Sequence, residues 1–70
     1  MVVTLSVNGK QESVEDGTTV AAWLEQQRIR PDVVTVEINR RIIDPTRYGA
    51  TPLHAGDVVE FVYVVGGDRA

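Results

Sequence analysis

The sequence predicts an α+β fold in which one helix covers one face of a β-sheet. Two alternating apolar segments come first, separated by Asn8-Gly9. A segment with helical periodicity follows, and further alternating segments occupy the second half of the chain. A hairpin, a helix and then more strands is the order expected when a single helix packs on a single sheet.

The first two strands are predicted to form a hairpin over residues 2–14. Apolar residues alternate with polar ones in the first strand: Val3, Leu5 and Val7. Asn8-Gly9 is a strong hairpin signal because both residues tolerate a positive φ. Val14 is the expected inward residue of the return strand.

Residues 20–28 are predicted to form the helix. Asp16-Gly17 makes a turn before it, and Thr18 or Thr19 is the expected N-cap. Three apolar residues share one helix face: Val20, Trp23 and Leu24. We expect Trp23 to fill the space between helix and sheet, and Pro31 to end the helix.

The second half of the chain is predicted to add three strands. Val34, Val36 and Ile38 share one face of the first of these strands. A short apolar piece, residues 42–43, follows and ends at Asp44-Pro45. An irregular stretch then leads to a turn at residues 55–57 and to the last strand.

The last strand, residues 58–65, carries apolar side chains on both faces. This is more apolar surface than a sheet with one covered face needs. One face is therefore a candidate partner-binding surface. The candidate residues are Val58, Val62, Tyr63 and Val64. The alternative is a central strand that is partly covered on both sides.

The composition limits the function classes. The 70 residues make one small domain with no room for an enclosed active site, and they contain no cysteine for a disulfide, a thiolate nucleophile or a Cys-based zinc site. The net charge of −3 is compatible with a basic partner surface and does not favour general binding to phosphate backbones, although a local basic patch stays open. Neither nucleic acid nor membrane is an expected partner. The chain shows no signal-type N-terminus and no membrane-length apolar run, which predicts a cytoplasmic protein. An enzyme is the least expected class.

Several polar residues have an ordinary surface role as their simplest interpretation. His54 is expected to be an exposed turn residue, because no cysteine or carboxylate pair accompanies it. Arg40-Arg41 is expected to be solvated in a turn, with contact to an anionic partner or RNA as the alternative. Glu12, Glu37 and Glu60 are expected at solvent-facing strand positions, with an acidic docking face as the alternative.

Two glycines, Gly66 and Gly67, follow the last strand. A carboxylate that must enter another enzyme's active site needs a thin tail, which can adopt conformations closed to residues bearing Cβ. The sequence therefore predicts a folded domain over residues 1–65 and a flexible tail over residues 66–70. Three residues follow Gly67, so its carboxyl group is not free: Asp68, Arg69 and Ala70.

The element order and the local motifs resemble the ThiS family, the small sulfur carriers of thiamine biosynthesis, which have the ubiquitin-like β-grasp fold. The resemblance spans residues 3–67, and the order of its motifs is more specific than any one of them. The motifs are "VNGK", "DGTTVAAWL", "VTVEINRRII", "TPLHAGDVVEFV" and "VVGG". The resemblance implies a mixed sheet of four to five strands with one main helix on one face.

The resemblance also implies that the protein is a co-substrate of other enzymes. A ThiF-like adenylyltransferase would use ATP to adenylate the carboxylate of Gly67, and no cofactor would be bound by the carrier itself. A sulfur donor would then convert Gly67 to a thiocarboxylate, and a ThiG-like thiazole synthase would accept the sulfur. Gly66 would supply the flexible link behind the reactive carbon.

The tail departs from the family pattern, in which glycine is the last residue. Gly67 is joined to Asp68 by a peptide bond and has no free carboxylate. The chain is therefore a precursor that a peptidase, such as a metalloprotease, trims after Gly67, a carrier that has lost the chemistry, or a sequence with an altered end.

Proteins with other functions carry motifs similar to these. A carrier for molybdopterin, cysteine or another thio-metabolite belongs to the same class and shares the Gly-Gly end. A non-covalent binding module, similar to TGS domains or to ubiquitin-like interaction domains, belongs to a different class and needs no glycine tail. The Gly-Gly end favours the carrier, and the thiamine pathway is the first expectation.

Overall fold

The structure is a computed structural model that describes residues 1–64. Five strands form one mixed sheet in the order β2-β1-β5-β3-β4. The elements are β1 (Val2–Val7), β2 (Lys10–Glu15), α1 (Val20–Gln26), β3 (Val34–Ile38), β4 (Arg41–Ile43) and β5 (Val58–Tyr63). β5 pairs parallel to β1 and antiparallel to β3. The predicted α+β fold, with a mixed sheet and one main helix on one face, is confirmed.

The two β-hairpins, β1-β2 and β3-β4, have tight turns of the same kind. Asn8 and Gly9 have φ of 51° and 84°, and Asn39 and Arg40 have φ of 53° and 70°. Both loops contain two residues, since Val7 pairs with Lys10 across the first turn in the same way as β3 pairs with β4 across the second. Positive φ at both central residues is the pattern of a type I′ turn, whose twist matches that of the flanking strands. The predicted Asn8-Gly9 hairpin is confirmed.

The helix begins where the sequence predicts and ends earlier. Thr19 is the N-cap, and its hydroxyl accepts a hydrogen bond from the backbone N–H of Ala22 at 3.1 Å. At the other end Arg28 has φ of 61°, and the N–H of Ile29 donates to the carbonyl of Leu24. This is a Schellman C-cap. The prediction that Pro31 ends the helix is wrong, because Pro31 instead starts a short 3₁₀ turn.

The core lies between the helix and one face of the sheet. All the inward residues predicted for the helix and for β3 are buried, and so are Leu5, Val7 and Val14 of the hairpin. Trp23 packs edge-on against Phe61, with ring centroids 5.6 Å apart. The predicted role of Trp23 between helix and sheet is confirmed.

The stretch after β4 is more ordered than the sequence indicates. Residues Pro45–Ala50 form a 3₁₀ helix that packs against α1 and buries Tyr48. The Tyr48 hydroxyl donates to the carbonyl of Val34 at 3.3 Å, and burial raises the pKa of this phenol. The backbone N–H of Thr46 donates to Asp44 and holds the pKa of that carboxyl below its ordinary value. The expectation of an irregular stretch is therefore wrong here.

Candidate docking face and C-terminal strand

The strand that precedes the glycine tail lies in the centre of the sheet. β5 runs between β1 and β3, and its last residue, Tyr63, pairs with Val34. The predicted reactive and processing residues, Gly66, Gly67 and Asp68, lie outside the described residues, as does the predicted boundary between domain and tail. These assignments stay predictions.

The two faces of β5 have different surroundings. Val59 is buried under the helix and Phe61 is partly buried there, whereas Val58 and Val62 point away from the helix. Val58 is 47% exposed and Val62 is 66% exposed. The alternative of a strand covered on both sides is therefore wrong for the described residues, because the helix covers only one face of the sheet.

The four candidate partner-binding residues do not share one face. Tyr63 lies on the helix side of β5, like Phe61, and the two rings pack edge-on with their centroids 5.9 Å apart. Its side chain is nonetheless half-exposed, as is Val64 just beyond the strand. Val58 and Val62 thus belong to the uncovered sheet face, and Tyr63 and Val64 lie at the end of β5. The structure does not test their binding role.

The uncovered face includes two residues that sequence reasoning missed, Thr35 and Ile42, beside residues that it had named as possible docking positions. Thr35 lies opposite Val62 in the register of β3 and β5, and Glu37 lies opposite both Glu60 and Ile42. Ile42 is 69% exposed. We call these six residues the open face: Thr35, Glu37, Ile42, Val58, Glu60 and Val62. The two-residue turn at Asn39-Arg40 was the available signal, because it sets the register that aligns Ile42 with Glu37.

The remaining polar residues lie at the surface as predicted, except that Glu37 is not fully solvent-facing and Arg41 begins β4 instead of lying in the turn. His54 is exposed, with its Nδ1 atom 3.9 Å from Asp16. Arg40 and Arg41 are exposed, and so are Glu12 and Glu60, whereas Glu37 is half-buried. Residues 1–64 hold no group of three or more acidic or histidine side chains arranged to bind a metal ion. The helices of this part of the chain are all too short or too polar to cross a bilayer.

The single main helix, the mixed sheet and the central position of β5 together define a ubiquitin-like β-grasp domain. The family model that matches is that of the ThiS family, and it aligns with residues 3–67. The chain belongs to the ThiS family.

Curated relatives and a solved structure agree with this membership. The chain is 36% identical over 64 residues to the sulfur carrier protein ThiS of Bacillus subtilis, covering 90% of this chain and 97% of that protein. It is 33% identical over 65 residues to a thiazole synthase of Magnetococcus marinus, but spans only 20% of that longer chain. The crystal structure of the thiamine biosynthesis protein ThiS from Geobacter metallireducens superposes with a TM-score of 0.81 at 34% identity, covering 93% of this chain and 99% of that one.

Proposed function

We propose that the protein is a sulfur carrier for the thiazole of thiamine, with Gly67 as the residue that carries sulfur. The observation that supports this most is the family match over residues 3–67, which extends through both glycines. The sulfur carrier of Bacillus subtilis is matched over nearly its whole length. The protein therefore acts as a co-substrate of partner enzymes.

The chemistry takes place at the Gly67 carboxylate. This carboxylate attacks the α-phosphorus of ATP in a ThiF-like adenylyltransferase, and pyrophosphate leaves. A sulfide-equivalent donor then displaces AMP from the acyl adenylate and leaves a thiocarboxylate. Activation divides one difficult substitution into two easier ones. ATP is bound by the partner, and the carrier itself needs no cofactor.

The tail must be processed before activation. Hydrolysis of the bond between Gly67 and Asp68 releases the carboxylate, and a metalloprotease is our candidate for this step. Gly66 then gives the new end the freedom to enter a narrow site, because glycine adopts backbone conformations that other residues avoid. The cytoplasm, which supplies ATP, is the proposed compartment.

A ThiG-like thiazole synthase is the proposed sulfur acceptor. The Magnetococcus marinus protein named thiazole synthase contains, within its longer chain, a segment similar to almost all of this protein. Such a fused arrangement brings carrier and synthase into lasting proximity. Val58 and Val62 on the open face, with Tyr63 and Val64 beside the tail, are the proposed contacts for partner enzymes.

The intact mass of the untagged protein, isolated from its native cells, tests this function. We expect a species that ends at Gly67, part of which carries sulfur in place of one carboxylate oxygen. If only the full-length chain ending at Ala70 is found, the carrier function is wrong and a non-covalent binding module is favoured. A thiocarboxylate that transfers sulfur to another acceptor, such as a molybdopterin precursor, would contradict only the thiamine assignment.

A further inference from the structure

Two glutamates are opposite each other in the strand register at the centre of the open face. Glu37 of β3 pairs with Glu60 of β5, and both strands are flanked by neighbours. Directly opposed residues in an antiparallel pair have Cβ atoms about 4.5–5.5 Å apart, and like charges in this position destabilise the sheet.

The described part of the chain supplies no cation to this pair. The ion pairs formed within residues 1–64 join Met1 to Glu15 and Arg30 to Asp32, and His54 lies near Asp16. The cross-strand neighbour of Glu37 on its other side is Ile42, which carries no charge. Within residues 1–64, therefore, neither Glu37 nor Glu60 has a cationic group within 4.0 Å.

Exposed apolar side chains surround the acidic pair. Ile42 lies beside Glu37 in the same cross-strand row, and Val58 and Val62 lie on either side of Glu60 along β5. All three are at least 47% exposed. Interfaces are typically strongest where a charged or aromatic anchor is surrounded by contacts that exclude water.

We propose that the open face binds a partner protein through an arginine that inserts between Glu37 and Glu60. The planar guanidinium donates in two directions at once, so it matches two facing carboxylates better than the single ammonium group of lysine. Ile42, Val58 and Val62 pack around this arginine and exclude water. The inference rests on the proposed function, because the partner is the thiazole synthase.

Charge complementarity selects this occupant over the alternatives. A second copy of the chain that used the same face would bring two acidic pairs together, and a nucleic acid or anionic membrane would meet the same repulsion. A basic protein surface relieves the repulsion that the free protein carries.

Binding to the thiazole synthase of the same organism, measured by calorimetry at two salt concentrations, tests the inference. The variant is Glu60→Gln, and the control is Glu25→Gln, which makes the same charge change on the exposed side of the helix. We expect Glu60→Gln to raise Kd at least about tenfold, the equivalent of about 1.4 kcal/mol, and to reduce the salt dependence. Glu25→Gln should remain within about twofold of the wild type, since its site is remote from the face.

A denaturation midpoint measured on the same variants separates binding from folding. Glu60→Gln should unfold at the same or a higher urea concentration than the wild type, because it removes a repulsion. A lower midpoint, or equal Kd values for the two variants, would overturn the inference and leave the carrier function standing. If the wild-type protein does not bind the synthase at all, the proposed acceptor is wrong and the inference falls with it.

Discussion

Arg40 adopts a backbone conformation that its side chain disfavours. It is the second central residue of the turn between β3 and β4, with φ of 70°, where glycine is the usual choice. The equivalent position in the first turn is Gly9, with φ of 84°. The two turns thus have the same backbone geometry, but only the turn at Arg40 has a Cβ at this position and the strain that it causes.

We predict that Arg40→Gly stabilises the protein. The substitution should raise the free energy of unfolding by about 0.5–1 kcal/mol, because it removes the left-handed strain at the expense of a more flexible unfolded chain. Urea denaturation followed by circular dichroism measures the change. Arg41→Gly is the control and should destabilise, since Arg41 lies in β4. A lower midpoint for Arg40→Gly would show that the arginine contributes contacts that outweigh the strain.

Leu24 is one of the two helix residues, with Val20, that are buried most completely in the core. It is only 1% exposed and belongs to the cluster between helix and sheet. Leu24→Ala should lower the free energy of unfolding by roughly 2–5 kcal/mol, through lost burial and the cavity left behind. The neighbouring exposed substitution Glu25→Ala should change it by less than about 0.5 kcal/mol. Equal denaturation midpoints for both variants would contradict the assigned helix face.

Among the secondary-structure elements, β5 is held by both hairpin turns as well as by its neighbouring strands. The Oδ1 atom of Asn8 accepts a hydrogen bond from the backbone N–H of Phe61 at 2.9 Å. In the other turn, the Oδ1 atom of Asn39 accepts from the N–H of Val58 at 3.0 Å. Asparagine therefore has two roles in each turn: it tolerates positive φ, and its side chain anchors the strand that leads to the tail.

We predict that this anchor can be separated from the turn at Asn8. Asn8→Gly keeps the turn geometry but removes the acceptor, so the free energy of unfolding should fall by about 1 kcal/mol. Asn8→Asp keeps both the acceptor and the tolerance of positive φ, and should retain most of the stability. Amide hydrogen exchange at Phe61 checks the local effect, which should be faster only in the glycine variant. Unchanged exchange in both variants would show that the side chain does not hold β5.

The molecule as a whole separates the groups that stabilise it from the groups proposed to react. The buried core extends from Leu5 to Val59, whereas the proposed reactive residue, Gly67, follows the last strand. The open face lies on the side of the sheet opposite the helix, so a partner could bind there without disturbing the core. Changes in the tail should therefore alter activation without altering stability.

We predict that Gly67→Ala, made in a chain ending at residue 67, leaves folding intact and impairs activation. A Cβ next to the acyl carbon restricts the backbone and hinders attack. The substitution leaves every residue of the described core, from Leu5 to Val59, unchanged. Thiocarboxylate formation with the adenylyltransferase, followed by mass spectrometry, measures activation, and the denaturation midpoint measures folding. The unsubstituted chain ending at Gly67 is the control. Equal thiocarboxylate yields from both chains would exclude a special role for glycine.

Local patterns accounted for the strands, for the main helix and for their inward side chains, but not for the 3₁₀ helix over Pro45–Ala50. Val34, Val36 and Ile38 alternate with polar residues, and Trp23 lies one turn from Val20, so the buried faces could be assigned from periods of 2 and 3.6 residues. The Asn8-Gly9 turn and the Thr19 cap depend on neighbouring residues only. The Gly66-Gly67 pair is a local pattern too, but the flexible tail and its chemistry stay predictions.

The pairing of distant strands was decided only by the tertiary structure. Glu37 and Glu60 are 23 positions apart along the chain, and their opposition depends on the register of β3 and β5. Ile42 joins the same face, and Tyr48 is buried, only because folding brings other segments beside them. Periodicity shows which way a side chain points along its own element. It contains no information about which strand lies alongside, and so the open face could be read only from the folded chain.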